Sequence, residues 1–338
     1  MSRLSQWCAW LSVALMLAAW VCIELLGDRV WWTLPLLYGP RWAAGALFAG
    51  LLPALLWARP SAVKAGLVMT PFFVFGLLDV RVPYGNFDAN EALPVRIMEL
   101  NSGGGVRGQR EGKVSSILAE LERSQPQFVV IAECNSSISD ALKESGDWYV
   151  RSSNTRLCFA SRWEVTQWEV RDPKDIWKMK GSGAIARATI ATPGGALRVG
   201  LVHLETPREA LEEFMDLSNI PTLGEQTRKN IAQRELESML AREWIFAGDK
   251  LPTIVAGDFN LPVESAIYRR HWSDLRNAFS RSGFGTGYSK QTSFWGSRID
   301  HILTTSDIVA EKAWTAASIG SDHLPVFADL TLPMHSAL

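Results

Sequence analysis

Three apolar stretches crowd the first eighty residues, and no later part of the chain repeats them. Residues 8–26 hold one acid, Glu24, near their end, while residues 42–57 and 65–78 hold no charge. A bilayer core takes about 20 apolar helical residues. The first stretch has that length. The other two reach it when the flanking Arg41, Arg59 and Lys64 snorkel toward water. Trp7, Trp20, Trp31, Trp32, Trp42 and Trp57 lie near several expected ends, where interfacial aromatics gather. A cleaved signal peptide has a shorter apolar core and ends at small residues. The other two stretches would then be a soluble apolar helix pair, but three apolar stretches in succession with tryptophans near their ends fit an anchor better. Residues 1–80 are therefore expected to be a membrane anchor with two or three transmembrane helices.

Orientation rests on a balance of charge. Arg3, Arg59 and Lys64 would share one side, and Arg29, Arg41 and Arg81 the other. The tight loop carrying Arg59 and Lys64, with the free amino group, favours an inner N-terminus. Three crossings then put the rest of the chain outside the cytoplasm. The expected location is a bacterial inner membrane, spanned several times.

Residues 81–94 (RVPYGNFDANEALP) are rich in turn formers and read as a linker. From about Val95 the chain resembles an ordinary water-soluble domain, placed at 95–335. The whole chain has 34 basic and 35 acidic residues. Six basic and five acidic ones precede Pro94, so the remainder is slightly acidic. That weighs against a general nucleic-acid binder, which needs a basic footprint. Of the four cysteines, Cys134 and Cys158 fall in this part without the paired spacing of a zinc site. Buried free thiols are the plainer expectation, and a disulfide between them is the alternative outside the cytoplasm.

Strands are expected at 95–100, 128–132, 156–161, 164–171, 184–191, 197–204, 253–256, 299–304, 308–313 and 326–332. Helical spacing marks 109–123 and 226–246. This mix fits an α/β domain with two sheets inside and helices outside.

Polar side chains recur where apolar strands end. Asn101 follows Leu100, Glu133 follows Ala132, and His203 follows Val202. Asp258 and Asn260 follow Val255-Ala256-Gly257, and Asp300 follows Ile299. Asp322 and His323 precede the last strand. One such ending means little, but several on one rim bring carboxylates close enough to repel unless a cation joins them. Asn101, Glu133 and Asp322 offer hard oxygens with no thiolate nearby. That donor set suits Mg²⁺, with Mn²⁺ as a substitute.

GDFN at 257–260, IDHI at 299–302 and SDHLPV at 321–326 follow one another in an order that resembles the endonuclease/exonuclease/phosphatase superfamily. That group includes apurinic endonucleases, type I deoxyribonucleases, neutral sphingomyelinases and inositol-polyphosphate 5-phosphatases. The resemblance covers about 95–332 and implies a four-layer α/β/β/α sandwich. It further implies that Asn101, Glu133 and Asp322 hold the metal, and that Asp258 orients or deprotonates the attacking water. Asn260 becomes a donor to the transition state, and His203 a contact to the phosphate. Asp300 holds His323, which binds phosphate or handles a proton. Two departures stand out: Asn101 is followed by Ser102-Gly103-Gly104-Gly105, and Glu133 is preceded by Ala132.

The resulting expectation is a membrane-anchored, metal-dependent phosphoester hydrolase. Its partners would be the lipid bilayer and a phosphoester substrate: nucleic acid, a phospholipid head group or a small phosphoester. No obligate protein partner is inferred. A tethered binding module that kept the fold is the alternative, and a transporter is disfavoured because the apolar stretches lack paired charges. His301 is expected to be structural, and His271 and His335 to lie at the surface. Most of Arg151, Arg156, Arg162, Arg187 and Arg298 are expected to be solvated.

Overall fold

The computed structural model describes residues 3–49, 68–84, 92–103, 110–215, 224–292 and 294–334. The remainder of the stretches 42–57 and 65–78, the loop with Arg59 and Lys64, and residues 85–91 of the expected linker lie outside the described residues. So do Gly104, Gly105 and His335.

β2 (Phe128–Ala132) reads FVVIA with no polar residue because both its faces are covered. Phe128, Val130 and Ala132 join the core between two sheets, while Val129 and Ile131 join a second core beneath helices. The first sheet surrounds β2. Its strands are β1 (Ala92–Asn101), β2, β3 (Tyr149–Ser152), β4 (Cys158–Ser161), β13 (Val309–Thr315) and β14 (Val326–Pro333), in the order β13-β14-β1-β2-β4-β3. The second sheet runs β5-β6-β7-β8-β12-β9. Its members are β5 (Val165–Val170), β6 (Ala184–Thr192), β7 (Gly195–His203), β8 (Thr253–Asp258), β9 (Arg276–Asn277) and β12 (Asp300–Thr304). A small hairpin, β10 (Lys290–Gln291) with β11 (Gly296–Ser297), stands apart.

Besides two short helices at Lys174–Lys178 and Ala278–Ser282, the helices in order along the described residues include α1 (Arg3–Trp20), α2 (Leu34–Tyr38), α3 (Ala44–Ala49), α4 (Arg110–Ser124) and α5 (Ser136–Glu144). Then come α6 (Arg208–Met215), α7 (Glu225–Ile245) and α8 (Ala266–His271). α4 and α5 cover the outer face of the first sheet through Ile117, Leu121, Ile138 and Leu142. α7 and α8 cover the second through Ala241, Ile245, Ile267 and Tyr268. The outcome is the expected α/β/β/α sandwich.

Each large sheet contains one parallel pair, β1–β2 and β7–β8, and all other pairings are antiparallel. Parallel neighbours need a crossover. α4 makes the first, and α6 with α7 makes the second. The carboxyl ends of these four strands therefore share one rim. β12 runs back beside β8 and sets its first residue, Asp300, opposite Asp258. β14 runs back beside β1, with Val326 opposite Glu99, so the segment before it reaches the same rim.

At the N-terminus, α1 continues through a π-helical turn, Val21–Leu26, and a 3₁₀ turn, Gly27–Arg29. Residues Trp10–Arg29 form one helix long and apolar enough to cross a membrane, with mean hydropathy 2.0. Trp10, Leu11 and Leu25 are exposed on it, as is Trp7 one turn earlier in α1. Met16, Ile23, Leu34, Leu37 and Leu77 form a further apolar cluster, which also takes in Ala210 of α6 and Ile299.

Polar clamps hold this region to the sandwich. Asp28 is fully buried, accepts from Arg234 Nη2 at 2.8 Å and Ser265 Oγ at 2.6 Å, and takes the Ala266 N–H at the start of α8 at 2.7 Å. Arg41 meets both oxygens of Glu264 at 2.8 Å. Asp79 pairs with Arg298 and Arg81. Arg298 is thus buried rather than solvated, because Asp79 supplies its counter-charge.

The expectation of free thiols is also overturned. Cys134 and Cys158 form a disulfide with Cα atoms 5.8 Å apart. Cys134 follows β2 and Cys158 opens β4, and the antiparallel pairing of these strands sets Ile131 opposite Cys158. Strand adjacency brings the two sulfurs together, and no spacing rule would have revealed it.

Candidate active site

The rim gathers every residue picked from the strand ends. Asn101, Glu133, His203, Asp258, Asn260, Asp322 and His323 line one cleft of about 410 Å³. Asp300 lies beneath its floor, fully buried and bonded to His323.

Asp258 sits at the end of β8 because the preceding Gly257 lets the backbone pass close to β7. Gly257 has φ +148°, and a Cβ there would meet the Val202 carbonyl oxygen at 1.9 Å. Asp258 Oδ1 accepts the Asn260 N–H at 2.8 Å, and Oδ2 accepts from Asn101 Nδ2 at 2.9 Å. His203 Nε2 and His323 Nε2 approach the same Oδ2 at 3.9 and 3.8 Å. Burial pushes the Asp258 carboxyl above its usual range, and the Asp300 charge adds to this; the two histidines and Asn101 pull it back.

Asp300 accepts from His323 Nδ1 at 2.9 and 3.0 Å, while the Ser289 hydroxyl receives the Asp300 N–H. Burial would raise the Asp300 carboxyl, but the His323 imidazole and its hydrogen bond outweigh it and hold the group below the usual range. For His323 the balance is reversed. Burial alone would lower it, yet Asp300 and Asp258 carry it up to about 9. At neutral pH this ring is an imidazolium whose Nε2 faces Asp258.

Asn260 has φ +51°, a left-handed conformation that asparagine tolerates better than most residues. Its Nδ2 donates to the Leu204 carbonyl at 2.8 Å, and its own carbonyl accepts from Tyr38 Oη at 2.7 Å. Tyr38 was not anticipated: it lies 222 positions earlier, at the end of α2.

Glu133 also has φ +51°. Its carboxylate lies 3.4 Å from Arg156 Nη2 and 3.4 Å from Asn101 Nδ2. Gly103 makes room for it, since a Cβ at that position would meet Glu133 Oε2 at 1.9 Å. Asn101 Oδ1 accepts the Gly103 N–H at 2.8 Å. Asp322 Oδ2 pairs with Lys290, while its Oδ1 is buried without a hydrogen-bond partner. Ser321 ties this loop to β1 through the Asn101 and Gly103 carbonyls, at 2.8 Å each.

Lys290 and Glu99 were also missed. Glu99 lies on the inward face of β1 below the rim, and neither carboxyl oxygen has a partner. Burial first, then Asp300 and Asp258, push it well above the usual carboxyl range. Period-two alternation was a usable signal, because Val95, Ile97 and Glu99 share one strand face. His301 is structural, as expected. It is buried, with Nε2 on the Leu261 carbonyl and Nδ1 on Asn277, and burial brings its pKa down to about 4. His271 is partly covered and meets Glu235 at 2.8 Å.

Two facing mixed sheets thus carry an Asp–His pair and further acids at their common rim. The chain belongs to the endonuclease/exonuclease/phosphatase family, whose sequence model matches residues 98–323. No curated protein matches it. Among similar solved structures is TDP2 of D. rerio in complex with a single-strand DNA product. It is 14% identical, with a TM-score of 0.53, covering 70% of this chain and 98% of that one. The human Nocturnin catalytic domain with bound sulfate is 16% identical, with a TM-score of 0.51 and coverage of 70% and 94%. A mannosyl-6-phosphatase of Bacteroides thetaiotaomicron is 13% identical, with a TM-score of 0.51 and coverage of 70% and 99%. At these identities the likeness concerns the fold alone.

Proposed function

We propose that the chain is a membrane-anchored, divalent-metal-dependent phosphoester hydrolase. The observation that carries this reading is the bridge across the two sheets. Asp300, from the second sheet, orients His323 from the first, and the free nitrogen of that ring faces Asp258 over the cleft.

The donor set fits a hard cation. Glu133 and Asp322 supply carboxylate oxygens, and Asn101 an amide oxygen. The buried, unpartnered Asp322 Oδ1 is an acceptor that such a cation would satisfy. Asp258, Asp300 and His323 also present donor atoms within 4.8 Å of one another. His323 Nδ1, however, is already committed to Asp300, so that trio has partners without a metal. A bound Mg²⁺ or Mn²⁺ would neutralise charge on the phosphate and polarise it.

The side chains then divide the work. Asp258 accepts the proton of a water placed in line with the phosphorus. His203 and the His323 imidazolium donate to phosphate oxygens, and Asn260 donates to the charge that grows in the transition state. Asp300 keeps His323 charged and correctly turned. A phosphomonoester, a phosphodiester and a nucleic-acid strand all offer the group this machinery needs.

Three features support anchoring with the sandwich outside the cytoplasm. Trp10–Arg29 suits a crossing. Asp28, Arg41 and Asp79 stand where the three expected crossings would end on one side, and all three are clamped to the sandwich. The Cys134–Cys158 disulfide suits an oxidising compartment.

The test is hydrolysis of bis(p-nitrophenyl) phosphate and p-nitrophenyl phosphate by the full chain in detergent, with Mg²⁺, Mn²⁺ or EDTA. Turnover that needs the metal and falls about 10³-fold in His323→Ala is expected. Metal-independent turnover that survives this substitution would contradict the reading.

A further inference from the structure

Resting on the hydrolase reading above, we infer that the substrate is a single phosphoester joined to a lipid tail. The tail leaves the cleft over an apolar lip that faces the bilayer.

The cleft is not polar throughout. Beside the carboxylates and histidines it is lined by Tyr38, Leu204, Pro207, Leu211, Trp295 and Ile299, with Arg208 and Glu212 near Leu211 on α6. Tyr38 and Ile299 belong to the same buried cluster as Met16, Ile23 and Leu37 of the N-terminal helices, and Leu211 packs against it. The apolar side of the cleft is thus packed directly on the N-terminal helices.

The lip is the hairpin β10–β11. At its base Lys290 pairs with Asp322, and at its tip it carries Phe294 and Trp295. The tip is fastened to the anchor twice. Trp42 Nε1 donates to the Phe294 carbonyl at 2.8 Å, and Trp295 Nε1 donates to the Tyr38 carbonyl at 3.1 Å. Yet the rings themselves are not covered: Phe294 is 76% exposed and Trp42 59%. Exposed aromatic surface beside a reactive cleft marks an interaction site. Trp and other amphipathic rings settle at the level of lipid head groups.

Size and charge favour the same substrate. The cleft, about 410 Å³, is open at its mouth, so an acyl chain on a bound head group would extend past the lip. Lys290, already paired with Asp322, Arg208 and the His323 imidazolium are the cations among the cleft-lining residues, few compared with a nucleic-acid track. A nucleic-acid strand presents a phosphate at every step and is normally met by a basic track, and this chain has one more acid than base.

The experiment varies the tail alone. The full chain in mixed micelles with Mg²⁺ is given methyl p-nitrophenyl phosphate, hexadecyl p-nitrophenyl phosphate and thymidine 5′-p-nitrophenyl phosphate. We expect kcat/KM for the hexadecyl ester to exceed that for the methyl ester at least tenfold. Phe294→Ser and Trp42→Ala, each checked for an intact melting transition, should cut that ratio at least fivefold. A ratio near one, a preference for the thymidine ester, or a tail preference that survives both substitutions would overturn the inference while leaving the hydrolase reading in place. If none of the three esters is turned over, the inference fails; the hydrolase reading fails with it only if p-nitrophenyl phosphate is refused as well.

Discussion

The two halves of the rim are built differently. The half drawn from the second sheet is closed and satisfied. Asp258 and Asp300 are fully buried, each carboxylate accepts hydrogen bonds, and Asn260 is tied down by Leu204 and Tyr38. The half drawn from the first sheet is looser. The side chains of Glu133 and Asp322 are 29% and 36% exposed, and one Asp322 oxygen has no partner. The difference teaches how the labour is divided. Groups that must be preorganised for charge development are locked by the protein, whereas a half with open acceptors is suited to completion by a cation.

Breaking the locked half should have the largest effect. Asp300→Asn keeps the shape but removes the charge that holds His323, and kcat should fall on the order of 10³-fold at every Mg²⁺ concentration. Steady-state kinetics across a metal titration would read this directly.

Next comes the clamp behind that half. Burial alone would raise the Glu264 carboxyl, but Arg41 outweighs it and brings the group down to about 2. Arg41→Met leaves the carboxylate buried without its partner, a loss of about 3 kcal/mol seen in thermal unfolding. The pH signature follows from the sign of the shift. Because the folded value is depressed, the stabilisation is complete above the ordinary value of 4.5 and fades as pH falls toward 2. The variant's melting temperature should therefore lose part of its acid dependence in that window.

Disturbing the open half should be milder and reversible. Asp322→Asn should raise the Mg²⁺ concentration for half-maximal activity by about 10- to 100-fold, with most of kcat recovered at saturation. The contrast with Asp300→Asn is the useful result. If excess metal rescued both variants equally, the division between the halves would be wrong.

The smallest change expected is Tyr38→Phe. It removes one buried donor to the Asn260 carbonyl, worth about 1 kcal/mol, and should lower kcat several-fold more than it alters KM. An equal change in both would give Tyr38 a structural role only.

Much of the sandwich was legible because burial on both faces writes itself as uninterrupted apolar runs. FVVIA is β2 residue for residue, and the long amphipathic stretch at 226–246 is α7 within one residue at each end. Short elements escaped. β3 alternates between exposed and buried over only four residues, and α6 and α8 are eight and six residues long. The strand-end residues could be named because motif and topology put them on one rim. What stayed hidden depends on contacts between remote segments. Tyr38 reaches Asn260, and Asp28 caps α8 from 238 positions away. The Cys134–Cys158 bond depends on strand order, which periodicity does not encode.

The most direct test is to locate Mn²⁺ by anomalous scattering in crystals of the full chain. The account predicts the ion on Glu133 and Asp322, with the Asp300–His323 hydrogen bond unbroken. An ion seated among Asp258, Asp300 and His323 would contradict it, because the half described here as complete would then be the metal site.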